Sequence, residues 1–158
     1  MRSVFKYTGI GILVTFFIVV AYYSYLVFEA RRYTQRTVLE DIKNSQWRPP
    51  NGEPKVFDIK SNELSDRQKT ILIKVQDPGF YHHHGIDLST PGGGLTTITQ
   101  AIVKKLYFEK FAPGIGKIKQ SIIARFVVDG LVTKEDQLTI FLNSMYFGKI
   151  SNRPMIGL

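Results

Sequence analysis

Residues 76–108 read QDPGFYHHHGIDLSTPGGGLTTITQAIVKKLYF. The Asp77-Pro78-Gly79 break ends an apolar helix, because proline lacks the N–H that would continue it and its ring blocks the turn before. Three glycines, Gly92 to Gly94, then lead into Thr96 and Thr97. A new helix is expected to open there, with Thr97 and Gln100 as a capping box in which each side chain satisfies the other's free backbone donor. A helix start presents unpaired N–H groups that receive an anion, phosphate included. Lys104 and Lys105 follow about two turns further along. Helix, break, glycine turn and helix set the expected fold class, and they mark a place for a phosphate-bearing ligand.

The same punctuation orders the flanking chain. Ser65 with Gln68 makes another capping box, opening a helix whose apolar face is expected from Ile71, Leu72 and Val75 and whose C-terminal edge carries Gln76 and Asp77. In the helix from Thr96, residues Ile98, Ala101, Ile102 and Leu106 are expected to face inward. A third helix is expected near Lys117 to Val128, after Gly114 and Gly116. Ile118, Ile122, Ile123, Phe126 and Val127 would be its buried stripe, with Lys117 and Gln120 together on another face, open to a cleft. A fourth starts at Thr133, with Glu135 in its first turn where negative charge suits the helix dipole. Leu138, Phe141 and Leu142 would pack, Asn143 would be a helix cap, and 143–148 would be an aromatic-rich turn. Val56 to Ile59 alternates weakly, as one short strand. Pro49, Pro50, Gly52 and Pro54 read as a linker. Four short helices with one apolar face each give a mainly α fold.

Further upstream, Tyr7 to Phe28 is a run of 22 residues without a charge. As a helix it spans roughly 33 Å, against a hydrocarbon core of about 30 Å. It is too long for the apolar core of a signal peptide, and Phe28-Glu29 is a poor cleavage site. We therefore read 1–6 as a cytoplasmic N-terminus, 7–28 as a transmembrane anchor, 29–60 as a juxtamembrane helix and linker, and 61–158 as the main domain, incomplete at its C-terminus. Arg2 and Lys6 precede the span and Arg31, Arg32 and Arg36 follow it, so charge alone gives no orientation. Of 21 basic residues 19 follow the span, with all 13 acidic ones. The excess gathers between Gln100 and Arg125, which fits anionic headgroups or a phosphate better than nucleic acid, for which no binding motif is present. Cysteine is absent, which excludes disulfides and thiol chemistry. His82, His83 and His84 are consecutive and cannot converge on one ion, so no metal site is expected. Gly92 to Gly94 lacks the closing Gly-Lys-Ser/Thr of a nucleotide loop and reads as a plain turn.

Taken together, these motifs resemble one family, the bacterial peptidoglycan glycosyltransferases, also called transglycosylases. The family's first motif, Glu-Asp-x-x-Phe-x-x-His-x-Gly, is met by Asp77, Phe80, His83 and Gly85, with Gln76 at the Glu position. The second, Gly-x-Ser-Thr-Ile-Thr-Gln-Gln and a Lys, is met by Thr96, Thr97, Ile98, Thr99, Gln100 and Lys104, with Ala101 at the second Gln. In the third, Arg-Lys-x-x-Glu, Lys117 matches while Gly116 and Gln120 replace Arg and Glu. The later Lys-x-x-x-Leu-x-x-Tyr-Leu-Asn pattern is met by Lys134, Leu138, Phe141 in place of Tyr, Leu142 and Asn143.

The resemblance implies a lysozyme-like, mostly helical domain on the extracytoplasmic side of the bacterial plasma membrane, held by one span. It implies polymerisation of a lipid-linked disaccharide precursor into glycan strands. The implied partners are that precursor, the growing strand, the membrane and other cell-wall synthesis proteins. No cofactor is certain, and the family allows a divalent cation. By position, Gln76, Gln120 and Asp77 are the candidate catalytic residues, and His83, Thr97, Thr99, Gln100, Lys104 and Lys117 the candidate substrate-binding residues. A departing pyrophosphate needs cations, which Lys104 and Lys117 can supply. Glutamine has no proton-accepting carboxylate. With Gln at both glutamate positions, a non-catalytic relative that binds the precursor or a cell-wall synthesis partner is the alternative.

Overall fold

A computed structural model describes residues 2–90, 96–150 and 153–156, with side chains described for 7–90 and 96–145. The Gly92–Gly94 turn lies outside the described residues. The fold is mainly α. Helix α1 (Arg2–Tyr33) runs through a π turn (Thr34–Val38) into α2 (Leu39–Lys43). At 1.5 Å per residue α1 alone is about 48 Å long. Its apolar part reaches a mean hydropathy of 2.2 and none of it is buried in the protein, so by length and composition it is a candidate membrane span.

Burial begins abruptly at Ala30 and recurs at Thr34, Val38 and Asp41. The wide π turn, closed by longer-range backbone bonds, takes more residues per turn and so keeps a four-residue spacing on one line. Thr34 Oγ1 bonds the Ala30 carbonyl at 2.7 Å and lies 2.6 Å from the Tyr107 hydroxyl. Asp41 accepts two bonds from Arg48, each 2.6 Å. Residues 46–56 follow as a small antiparallel pair, β1 (Gln46–Trp47) with β2 (Lys55–Val56), placing buried Trp47 against the domain. The juxtamembrane segment and linker therefore belong to the packed body, because Ala30, Val38 and Trp47 are core residues.

The body is built on α4 (Ile98–Tyr107), packed between α7 (Lys134–Ser144) and the stretch formed by α5 (Ile115–Ile123), a second π turn (Ala124–Val128) and α6 (Asp129–Leu131). Phe80, Ile98, Ile102, Val103, Leu138 and Leu142 are fully enclosed. Helix α3 (Asp66–Gln76) lies at the rim, after a short 3-10 turn (Ser61–Glu63). A hairpin of β3 (Tyr146–Ile150) and β4 (Arg153–Ile156) follows α7.

Three expectations fail. In α3 the buried residue is Ile73, whereas Ile71 and Val75 are exposed, since a rim helix packs along one line only. In α5 and its π turn, Ile118 and Phe126 are exposed while Gln120 and Ala124 are buried. The face read as open to a cleft is the one packed on α4, because Gln120 finds a backbone partner there. Finally, α7 runs on to Ser144 and 146–150 is a strand, so the expected turn is absent and Asn143 is no cap. Its side chain accepts from the Asp58 and Ile59 amides and donates to the Ile59 and Thr139 carbonyls, clamping the incoming loop to α7.

Candidate functional site

The site begins where α3 stops. Ser65 caps α3 in the expected box with Gln68, and Pro78 prevents continuation past Gln76. Gln76 is exposed at this edge, and Asp77, directly after it, is buried. The Asp77 carboxylate accepts the Ile98 backbone N–H at 2.9 Å and meets His83 Nε2 with both oxygens at 3.0 Å. A carboxylate held by a first-turn N–H of α4 satisfies an otherwise open donor and complements the positive helix end. Asp77 and His83 thus tie the first break to the start of α4. His83 Nδ1 is enclosed without a partner among the described residues.

The start of α4 is fixed from two more sides. Thr97 and Gln100 form the expected capping box. The Thr97 hydroxyl also donates to the Gly85 carbonyl at 2.7 Å. Gly85 has φ +81°, and a Cβ there would stand 2.5 Å from the Ala124 carbonyl oxygen, so only glycine lets the loop lie against the π turn. Thr99 is fully buried and donates to Gln137 Oε1 at 2.7 Å. With its start pinned, α4 lays Lys104 and Lys105 along an open cleft.

Helix α5 packs against α4 and sends one lysine toward its start. Lys117 Nζ donates to Thr96 Oγ1 at 3.0 Å and to Gln100 Oε1 at 3.2 Å. Burial, and then the nearby charge of Lys104, pull the Lys117 ammonium below the usual lysine range. Gln120 is 1% exposed and donates its amide N–H to the Gln100 carbonyl at 2.6 Å, leaving Oε1 without a partner among the described residues. Gln100 Nε2 in turn donates to Ser121 Oγ at 2.9 Å.

The cleft between the end of α3, helix α4 and the end of α7 has a volume of about 430 Å³, and Gln76, Thr96, Thr97, Lys104 and Lys105 supply its polar walls. Ile98, Ala101, Phe141 and Met145 supply its apolar ones. The structure therefore brings Gln76, Thr97 and Lys104 together on one hollow, with Lys117 reaching its rim through Thr96. Asp77, His83, Thr99, Gln100 and Gln120 do not line it; they form the buried frame that holds the lining helices. Sequence reasoning did not single out Thr96, Ile98, Ala101, Phe141 and Met145 as site residues. Only the α4–α7 contact turns Phe141 and Met145 toward α4.

Of the chain's acidic residues, none lines this cleft, and every Asp and Glu lies among the described residues. A divalent cation prefers oxygen ligands, carboxylates above all. A hollow walled by ammonium groups does not fit one.

A family model described as Transglycosylase matches residues 44–157. Penicillin-binding protein 1B of Buchnera aphidicola subsp. Acyrthosiphon pisum (strain APS) is 25% identical over 160 aligned positions, covering 82% of this chain and 21% of that protein. Penicillin-binding protein 1F of Bacillus subtilis (strain 168) is 31% identical over 111 positions, covering 62% of this chain and 15% of that protein. The monofunctional glycosyltransferase of Staphylococcus haemolyticus (strain JCSC1435) is 30% identical over 102 positions, covering 57% and 37%. The chain thus spans well under half the length of these curated relatives.

Proposed function

The chain belongs to the transglycosylase family, and on that premise we propose that it holds a lipid-linked disaccharide diphosphate at the membrane surface without efficient polymerisation. The observation that carries this reading is the cleft's charge: Lys104 and Lys105 on its walls, Lys117 at its rim, and no carboxylate. Cations gathered on the walls of a cleft suit a diphosphate. Transfer to an acceptor hydroxyl needs a group that takes its proton, and general acid–base help is typically worth about 10²–10⁴ in rate. Gln76 stands at the cleft but cannot accept a proton, and the one adjacent acid, Asp77, is committed to Ile98 and His83. In this reading α1 anchors the protein in the bacterial plasma membrane with the body on the extracytoplasmic side, and the sugar lies against the Ile98–Phe141 wall.

A slow glycosyltransferase is the second reading. It is favoured by the family-motif residues Asp77, His83, Thr97, Thr99, Gln100 and Lys104, and by the glycosyltransferase name of one relative. One experiment separates the two. Full-length protein in detergent micelles is incubated with fluorescent lipid-linked disaccharide-peptide diphosphate, and both bound ligand and polymer are measured. Saturable binding without polymer, weakened at least about tenfold by Lys104→Ala with Lys117→Ala, is the expected result. Polymer from the unaltered chain establishes the second reading, and absence of binding overturns both.

A further inference from the structure

Lys104 walls the cleft, and its ammonium also lies over the Phe111 ring, 4.8 Å from the centroid. Phe111 belongs to the loop of residues 108–114 that joins α4 to α5, and it is not among the described residues that line the cleft. The rings of Phe111 and Phe108 meet edge to face, with centroids 5.4 Å apart and planes at 75°. Aromatic pairs favour that arrangement, since the positive edge of one ring meets the negative face of the other. Phe108 in turn packs on the hydrophobic core. A line of contacts therefore runs from the core through two rings to a cation on the cleft wall.

Lys104 needs such a hold. After burial, its charge is the second cause that lowers the Lys117 pKa, so the two cations stand close enough to repel. Lys104 is exposed, and a lysine on a flexible stem would swing its charge away into water. The negative face of a ring attracts an ammonium without neutralising it. A carboxylate would hold Lys104 more firmly, but it would cancel the charge that a phosphate needs. The ring also has room. A Cβ on Gly116 would stand 3.6 Å from Phe111 Cε2, so bare backbone lies against the ring there. Gly116 occupies the arginine position of the family's third motif, and glycine brings no guanidinium to compete for the ring face.

We propose that Phe111 is a positioning residue for the cleft: its ring holds the Lys104 ammonium beside Lys117, so that two cations are in place for the phosphoryl groups of a diphosphate before the ligand arrives. The ring covers one side of the ammonium and leaves the other to donate to phosphate oxygens. Order set in advance lowers the cost of fixing a long side chain on binding. Phe111 touches no ligand in this scheme and acts only through Lys104. The proposal rests on the cleft's reading as a diphosphate site, and inorganic pyrophosphate tests that reading on its own.

The unaltered full-length chain in detergent micelles is compared with Phe111→Leu, which keeps apolar bulk and removes the ring, and with Phe111→Tyr, which keeps the ring. The measurements are the ring-current shift of the Lys104 ε-methylene protons (assigned with Lys104→Arg), the Lys117 titration by lysine NMR, and the affinity for inorganic pyrophosphate. The unaltered chain and Phe111→Tyr should show an upfield-shifted Lys104 resonance. Phe111→Leu should lose that shift and move the Lys117 titration to higher pH. It should also bind pyrophosphate about two- to fivefold more weakly, the worth of one exposed cation–ring contact. Pyrophosphate binding that is unchanged or tighter in Phe111→Leu overturns the inference and leaves the diphosphate site standing, because the ring then plays no part or competes with the ligand. Phe111→Tyr behaving as Phe111→Leu also overturns it, because the ring face is then not the cause. No pyrophosphate binding by the unaltered chain removes the diphosphate reading, and the proposal with it.

Discussion

At the residue scale the two glutamines differ more than their family positions suggest. Gln76 is exposed at the cleft, so Gln76→Glu should change stability by less than about 0.5 kcal/mol, as surface changes usually do. Gln120 is enclosed, and its amide N–H donates to the Gln100 carbonyl at 2.6 Å. A carboxylate there sets acceptor against acceptor, at a cost of about 1–3 kcal/mol. Gln120→Glu should therefore lower the midpoint of thermal unfolding by several degrees while Gln76→Glu leaves it in place, and calorimetry of the two variants checks this. Restoring the family's acids is thus not one symmetrical experiment. Lys117 carries a second prediction. Its pKa is lowered, chiefly by burial and then by Lys104, so the cation is lost before an ordinary lysine's as pH rises. Binding of a diphosphate ligand should weaken below the usual lysine range. Lys104→Ala removes the repulsion and should move that Lys117 titration to higher pH, read by lysine NMR in the folded protein. The sign for stability is the opposite of a stabilising ion pair: the unfolded chain holds the Lys117 proton more tightly, so this group's cost to folding fades as pH rises through the lowered value.

At the scale of elements, the start of α4 is the joint on which the cleft depends. Asp77 reaches 21 residues along the chain to Ile98, and Thr97 reaches back 12 to Gly85. Asp77→Ala leaves the Ile98 N–H and the inward nitrogen of His83 without an acceptor, each costing about 1–3 kcal/mol when buried. Thr97→Ala removes one cap, typically about 1 kcal/mol. Denaturant unfolding should rank Asp77→Ala below Thr97→Ala, and Asp77→Ala should also weaken ligand binding, because Lys104 and Lys105 move with the helix. Both capping boxes were legible in the sequence because they join residues three apart. The Asp77–Ile98 bond was not, since its partners meet only after the intervening loop has closed.

At the scale of the whole molecule, side-chain clamps join segments far apart in sequence. Asn143 makes four bonds, three of them to a segment some 84 residues earlier in sequence. Asn143→Ala should cost about 2–4 kcal/mol, at about 1 kcal/mol per bond lost, and should loosen protection of the Asp58 and Ile59 amides in hydrogen exchange. Tyr81, Ser61 and Lys69 converge on Glu135 in the same region. Burial, and then the bond to Glu135, push the Tyr81 phenol up to about 12. Its contribution is complete below about pH 10, the ordinary tyrosine value, and is lost as pH rises toward 12.

The sequence alone determined the apolar run of α1, both capping boxes, the break at Pro78 and the family's motifs in order, because each is set by groups within a turn or two of one another. It also determined that no carboxylate stands at Gln76 or Gln120. Which face of α5 is buried, where Gln120 points and how the juxtamembrane segment seats on the body were decided only by tertiary structure. A helix with apolar residues on two faces has two equivalent ways to pack. The choice falls to a partner, here the Gln100 carbonyl of α4, whose position no local pattern encodes.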